Sequence, residues 1–187
     1  MGRIEEVAER YAQHVATPWQ RTVAGAQRVI MLVYDKELER ALRANKLAFE
    51  NATRQANHDW YEVDITNAFA TWIAGDEYRA AYFDSPEDLH LKLEAEFADY
   101  VANLIRAVLT RADVTENSVV AIFGVGALFG FTRFSKVLRL LEGDIRGRLL
   151  VFFPGQVDQN NYRLFDARDD WNYMAVPITM RSGGGSL

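Results

Sequence analysis

Gly124, Gly126 and Gly130 stand just after the apolar run Val119–Phe123. Glycines in that place let backbone N–H groups come close to a phosphate, with a helix behind them to present its positive end. A phosphate-binding loop also needs a Gly-Lys-Ser/Thr step into that helix. The corresponding residues here are Phe131-Thr132-Arg133, and the nearest lysine is Lys136, further along. A dinucleotide fold wants an acid at the end of the next strand to hold a ribose. That strand ends Phe152-Phe153-Pro154-Gly155, with no acid. The three glycines therefore stay as candidate cofactor contacts, while the residue types around them favour a tight turn and close helix–sheet packing.

Other chemistry is sparse. The chain has no cysteine, which removes disulfides, thiolate metal sites and thiol nucleophiles. His14, His58 and His90 lie far apart with no partner at metal-ligand spacing. Asp158 follows the second apolar run, where open α/β sheets place ligands, but no second acid or histidine stands at a recognisable spacing. Asp169 and Asp170 are neighbours, and neighbouring side chains of an extended chain point opposite ways. No Gly-x-Ser-x-Gly elbow seats a nucleophile. These residues predict no catalytic group, no metal and no cofactor. What remains is a cationic ridge, Arg133, Lys136 and Arg139 with Arg146 and Arg148 beyond, and late aromatics that include Tyr162 and Trp171. Cations and aromatics of this kind suit an acidic partner or an interface anchor.

The elements that must position these groups read as follows. Ile4–Val15 carries a helical apolar stripe. Arg28–Tyr34 is an apolar run that fits a buried strand, and Asp35 stands ready to cap the helix after it, which extends to about Asn57. Trp60–Thr66 reads as a strand and Asn67–Ala74 as a short helix. Ser85-Pro86-Glu87-Asp88 starts a helix that runs to about Arg111, with Leu93, Phe97, Val101, Leu104 and Val108 as its core stripe. Val119–Phe123 is a strand, about Phe131–Glu142 a helix, and Leu149–Phe153 a strand. Gln156–Asp170 reads as a polar loop. Ala175–Thr179 is a last strand that Pro177 assigns to an edge or a strand end.

Alternating strands and helices predict an α/β domain over residues 1–181. We expect a three-layer sandwich with a mostly parallel, Rossmann-like or P-loop-like sheet flanked by helices. A flexible Gly/Ser tail is expected at 182–187. The net charge of −5 argues against a broad nucleic-acid surface, though not against a local basic patch. No apolar stretch is long enough to span a bilayer, so no membrane contact and a cytoplasmic location are expected.

Four segments in order, GVGALFGFTRFSKVLRLLE, LLVFFPGQVD, YRLFDARDDWNY and MAVPI, resemble the BrxB family of bacterial BREX phage-defence loci. The likeness is strongest over Val119–Ile178. Where Gly130-Phe131 stand here, the family turn usually has a proline. The resemblance implies membership of a multi-gene antiviral system that also encodes a large ATPase, a DNA adenine methyltransferase and a phosphatase-like protein of the PglZ type. It carries over no catalytic residues. It implies a non-catalytic accessory or adaptor component that binds other BREX proteins, with the PglZ-type protein and the ATPase as expected partners. The expected partner surface comprises Arg133, Lys136, Arg139, Asp158, Tyr162, Asp169 and Trp171. The alternative is a nucleotide- or nucleic-acid-binding regulatory subunit with a degenerate glycine-rich loop, and whether DNA is contacted directly stays open.

Overall fold

Three strands buried along their whole length lie at the centre of the protein. They are β1 (Val29–Tyr34), β3 (Ser118–Phe123) and the stretch Leu149–Gly155 of β4 (Arg148–Asp158). A run with no polar face needs cover on both sides of the sheet, and the alternation of side chains shows that it has it. Val29, Met31 and Val33 of β1 enter one hydrophobic cluster, and Ile30, Leu32 and Tyr34 enter another. The first cluster is closed by helices α7 (Ala98–Leu109) and α8 (Phe134–Leu141), the second by α1 (Arg3–Ala16) and α3 (Lys46–Gln55). The computed structural model describes residues 2–168 and 170–180, so the tail expected at 182–187, and Asp169, lie outside the described residues.

The chain is α/β and its sheet is mixed. Strands β2 (Asp59–Asp64), β3, β4, β1 and β7 (Val176–Thr179) lie side by side in that order with parallel pairing. Beyond Pro154, β4 leaves its parallel neighbours and pairs antiparallel with β5 (Asn161–Leu164), which pairs in turn with β6 (Trp171–Asn172). Pro154 is tolerated because β3 pairs with β4 only as far as Val151, so the missing N–H falls where the partner changes. Pro177 lies in β7 at the end of the strand order, the edge position its missing donor demands.

The remaining helices connect these strands. They are α2 (Glu39–Ala44), α4 (Ala68–Ala74), α5 (Arg79–Asp84) and α6 (Pro86–Lys92). A π-turn, Leu93–Phe97, joins α6 to α7.

Several expectations need correction. Asp35 does not cap a helix, because its carboxylate pairs with Arg3 at 2.5 Å. The core stripe of α7 runs through Val101, Ile105 and Leu109, which leaves Leu104 exposed; the steps of four from Phe97 win over the mixed three-and-four spacing. The helix expected at Phe131–Glu142 spans only Phe134–Leu141. The stretch expected as a polar loop at Gln156–Asp170 is largely a β-hairpin.

Candidate functional site

The glycine turn is closed by the protein itself. Gly124 has φ +88°, a left-handed conformation that suits glycine, and a Cβ there would lie 2.4 Å from Thr66 Oγ1 and 2.5 Å from Thr66 N. After it, Val125–Leu128 forms a single 3-10 turn and not the start of a helix. A Cβ on Gly126 would lie 2.5 Å from Phe165 Cζ. Phe165 reaches this place from a backbone with φ +52°, rare for a bulky side chain. Its N–H donates to the Pro154 carbonyl at 2.9 Å and its ring packs against Phe129. Gly130 also has positive φ, +80°, with nothing within 4 Å of its would-be Cβ. Two of the three candidate glycines thus face side chains of this chain, where a phosphate would have to sit.

Charged groups at the same end of the sheet are paired with one another. Arg43 donates from Nε to Glu39 at 2.7 Å, from Nη1 to Asp64 at 2.9 Å and from Nη2 to Thr66 at 3.0 Å. The Tyr34 hydroxyl donates to the other Glu39 oxygen. Burial pushes the Asp64 carboxyl up, but the bonds from Thr66 and Arg43 more than offset this and hold it below its ordinary value of 3.8. A depressed folded value means that the pair's stabilisation is complete above the ordinary value and lost as pH falls through the lower one. Asp64 is half exposed, so screening limits the effect to about 1 kcal/mol or less. Arg43→Ala is expected to flatten the loss of stability below pH 3.8 in acid unfolding followed by circular dichroism.

The expected cationic ridge divides in two. Arg133, Lys136 and Arg139 are exposed and line an open cleft of about 1130 Å³ together with Arg168, Phe129 and Phe131. His90 and Glu94, from α6 and the π-turn, form another part of its lining, and Trp171 and Asn172 of β6 a third. Among the described residues of this lining, four cations, Arg133, Lys136, Arg139 and Arg168, stand against the two acids Glu94 and Asp170. Lys136 Nζ donates to the Glu94 carbonyl at 2.7 Å and Arg139 to the Asn172 carbonyl at 3.2 Å, which orients both without neutralising them. Arg146 and Arg148 lie elsewhere, at the start of β4. Arg146 bonds the carbonyls of Leu109 and Arg111 past the end of α7, and Arg148 bonds that of Gln20.

The remaining expected site residues separate as well. Asp158 is exposed on the β4–β5 hairpin and is not part of the cleft lining. Tyr162 is 0% exposed and Trp171 9%, so neither is the loop anchor it was expected to be. Both pack in the core, with rings stacked 5.3 Å apart and both edge-on to Phe153. The Tyr162 hydroxyl has no hydrogen-bond partner among the described residues, and burial pushes it up to about 12. Tyr162→Phe deletes that unsatisfied group and is expected to raise stability by about 1 kcal/mol in urea unfolding.

Sequence reasoning missed α5, while α6 is the start of the helix expected from Ser85-Pro86. Neither helix has a buried residue, and Phe83 is 76% exposed, Leu91 69% and Tyr78 60%. Leu89 of α6 packs against the first hydrophobic cluster, and polar contacts add to its hold on the segment. Lys92 pairs with Asp76, and its ammonium lies 5.7 Å from the Tyr82 ring centre. A helical pair that leaves side chains as large as Phe83 and Leu91 in water is unusual in an isolated domain. α5 has only six residues and none is buried, so no apolar period marked it in the sequence.

Among the described residues no group of three metal-ligating side chains converges, and no helix is long and apolar enough to cross a membrane. Comparison with curated proteins and with solved structures returns no match. A family model described as BREX protein BrxB matches residues 77–178. That span begins just before α5 and ends in β7, so it takes in the exposed helices, the glycine turn, the cationic cleft and the hairpin. The match covers more than half of the chain and includes the segments that carried the resemblance in the sequence, and the chain therefore belongs to the BrxB family, which places it in BREX phage-defence systems.

Proposed function

We propose that the protein is a non-catalytic adaptor of its BREX system and binds other BREX proteins through the cationic cleft and the α5–α6 face beside it. The observation that carries this reading is the pairing of Phe83 and Leu91, exposed on helices with no buried residue, with a cleft in which cations outnumber acids among the described residues. A partner with apolar side chains flanked by an acidic segment fits both halves. Apolar burial would supply affinity, and the charges register and on-rate. The PglZ-type phosphatase-like protein and the large ATPase are the partners we propose. We also read the parallel part of the sheet as a Rossmann-like or P-loop-like scaffold whose loop has been closed, which favours the adaptor over the alternative of a nucleotide-binding glycine loop.

Purified chain and purified PglZ-type protein supply the test. Lys136→Glu with Arg139→Glu is expected to weaken their binding at least about tenfold, chiefly through the association rate, and to reduce its sensitivity to salt. Binding indifferent to both substitutions and to salt would remove the cleft from the interface.

A further inference from the structure

At the other end of the sheet, a smaller cleft of about 400 Å³ collects Arg21, Arg28, Arg146 and Arg148 around Trp19. Its walls come from the segments that lead into the parallel strands: Trp19–Arg21 and Arg28 before β1, His58 before β2, Glu116 and Asn117 before β3, and Arg146 with Arg148 at β4. We propose that this cleft is an anion site that takes the phosphate of a phosphate ester, as a nucleic-acid strand or a free nucleotide.

Three of the four guanidinium groups are fixed in advance. Arg28 donates to the carbonyls of Ile145 at 2.8 Å, Arg146 at 2.9 Å and Arg21 at 3.0 Å. Arg146 donates to those of Leu109 and Arg111, each at 2.8 Å, and Arg148 to those of Gln20 and Gly147, each at 3.1 Å. Carbonyl oxygens satisfy donors but bring no charge. None of the four arginines has a carboxylate within salt-bridge distance among the described residues, and Glu116 is the one acid in the lining. The crowding registers on Arg148, where burial and the charge of Arg28 both disfavour the cationic form. Four confined cations on a chain of net charge −5 are a local reversal that a bound anion relieves.

The shape of the donors narrows the anion. Guanidinium forks match the oxygens of phosphate, and pre-ordering them lowers the entropy cost of binding. An aromatic platform stands beside them. Trp19 and His58 stack at 3.6 Å with an interplanar angle of 5°, and the Arg148 guanidinium lies 4.9 Å from the Trp19 ring centre. His58 is held in place because Asn117 Nδ2 donates to the Asn57 carbonyl, which leaves Asn117 Oδ1, 2.7 Å from His58 Nδ1, to accept from the ring. The Trp19 Nε1–H is enclosed with no hydrogen-bond partner among the described residues, a further donor left unsatisfied. Because the cleft and the proposed protein interface are at opposite ends of the sheet, both can be occupied at once.

Arg21 gives the clean variant, since its exposed side chain makes no hydrogen bond or ion pair among the described residues, and charge reversal there breaks no such bond. Full chain is titrated into a fluorescently labelled single-stranded oligodeoxythymidylate, with ATP and inorganic phosphate as competitors. Binding is expected to weaken steeply with salt. Arg21→Glu should weaken it at least about tenfold with an unchanged melting curve, and lower the slope of log affinity against log salt by one or more. Lys136→Glu, at the other cleft, should leave it unchanged. If ATP binds with the same dependence on Arg21 while the oligonucleotide does not, the site is a phosphate-ester site supplied by free nucleotides. Failure of both probes at low salt, or affinity unchanged by Arg21→Glu, overturns the proposal and leaves the adaptor reading untouched.

Discussion

Gly124→Ala is expected to cost about 3–5 kcal/mol, a large share of the stability of a domain of this size. Two costs add. An alanine at φ +88° is strained whatever surrounds it, and its Cβ would meet the Thr66 nitrogen at 2.5 Å, a backbone atom that cannot swing aside. The other two glycines calibrate the argument. Gly126→Ala meets the tip of the Phe165 ring, which can move at the expense of its packing, so about 1–3 kcal/mol is expected. Gly130→Ala has open space and only the left-handed backbone to disfavour it, so about 1 kcal/mol is expected. Urea unfolding of the three variants reads the order directly. A phosphate cradle would give another pattern, with small effects on folding and large ones on ligand-dependent stabilisation. Equal costs at all three positions, or the largest at Gly130, would contradict the packing account.

The second large effect is expected at α5 and α6, which have no buried residue. Phe83→Ser with Leu91→Ser should leave the melting temperature nearly unchanged, because neither side chain is buried in the isolated protein. The same pair should lower affinity for a BREX partner by about 2 kcal/mol or more, roughly thirtyfold, if the two side chains anchor the interface. A cell carrying the complete locus should then lose protection in a phage plating assay while the variant protein accumulates normally. A drop in abundance would mean instead that the two side chains contribute to the fold and not to an interface. The separation of stability from function makes this pair more informative than the cationic residues. Lys136 also orients on the Glu94 carbonyl and Arg139 on that of Asn172, so their substitution disturbs local structure a little.

Much of the scaffold was legible because burial leaves a strong pattern. Arg28–Tyr34 and Val119–Phe123 read as buried strands, and the structure has β1 over Val29–Tyr34 and β3 over Ser118–Phe123, both buried throughout. The hairpin after Pro154 was missed because proline and glycine together look like a stop. They mark a change of partner instead, with a Gly155 Cβ position only 2.0 Å from the Arg163 carbonyl. The alternation Asn161-Tyr162-Arg163-Leu164, exposed and buried in turn, was the available clue. It would have placed Tyr162 in the core. The division of the cationic ridge could not be read, since Lys136 and Arg146 are ten positions apart in sequence but belong to opposite ends of the sheet. The Arg21–Arg148 cleft was hidden for the same reason, its members being scattered over four connections. The closure of the glycine turn depends on Phe165, forty residues on, in a backbone conformation that no local preference predicts.

The most direct test of the adaptor reading is affinity purification of the tagged chain from cells that carry the whole locus. We expect at least one other BREX protein to elute with it in near-stoichiometric amount, and to be lost when Phe83 and Leu91 are replaced by serine. Elution of the chain alone under gentle conditions, or retention of the same partner by the double variant, would contradict it.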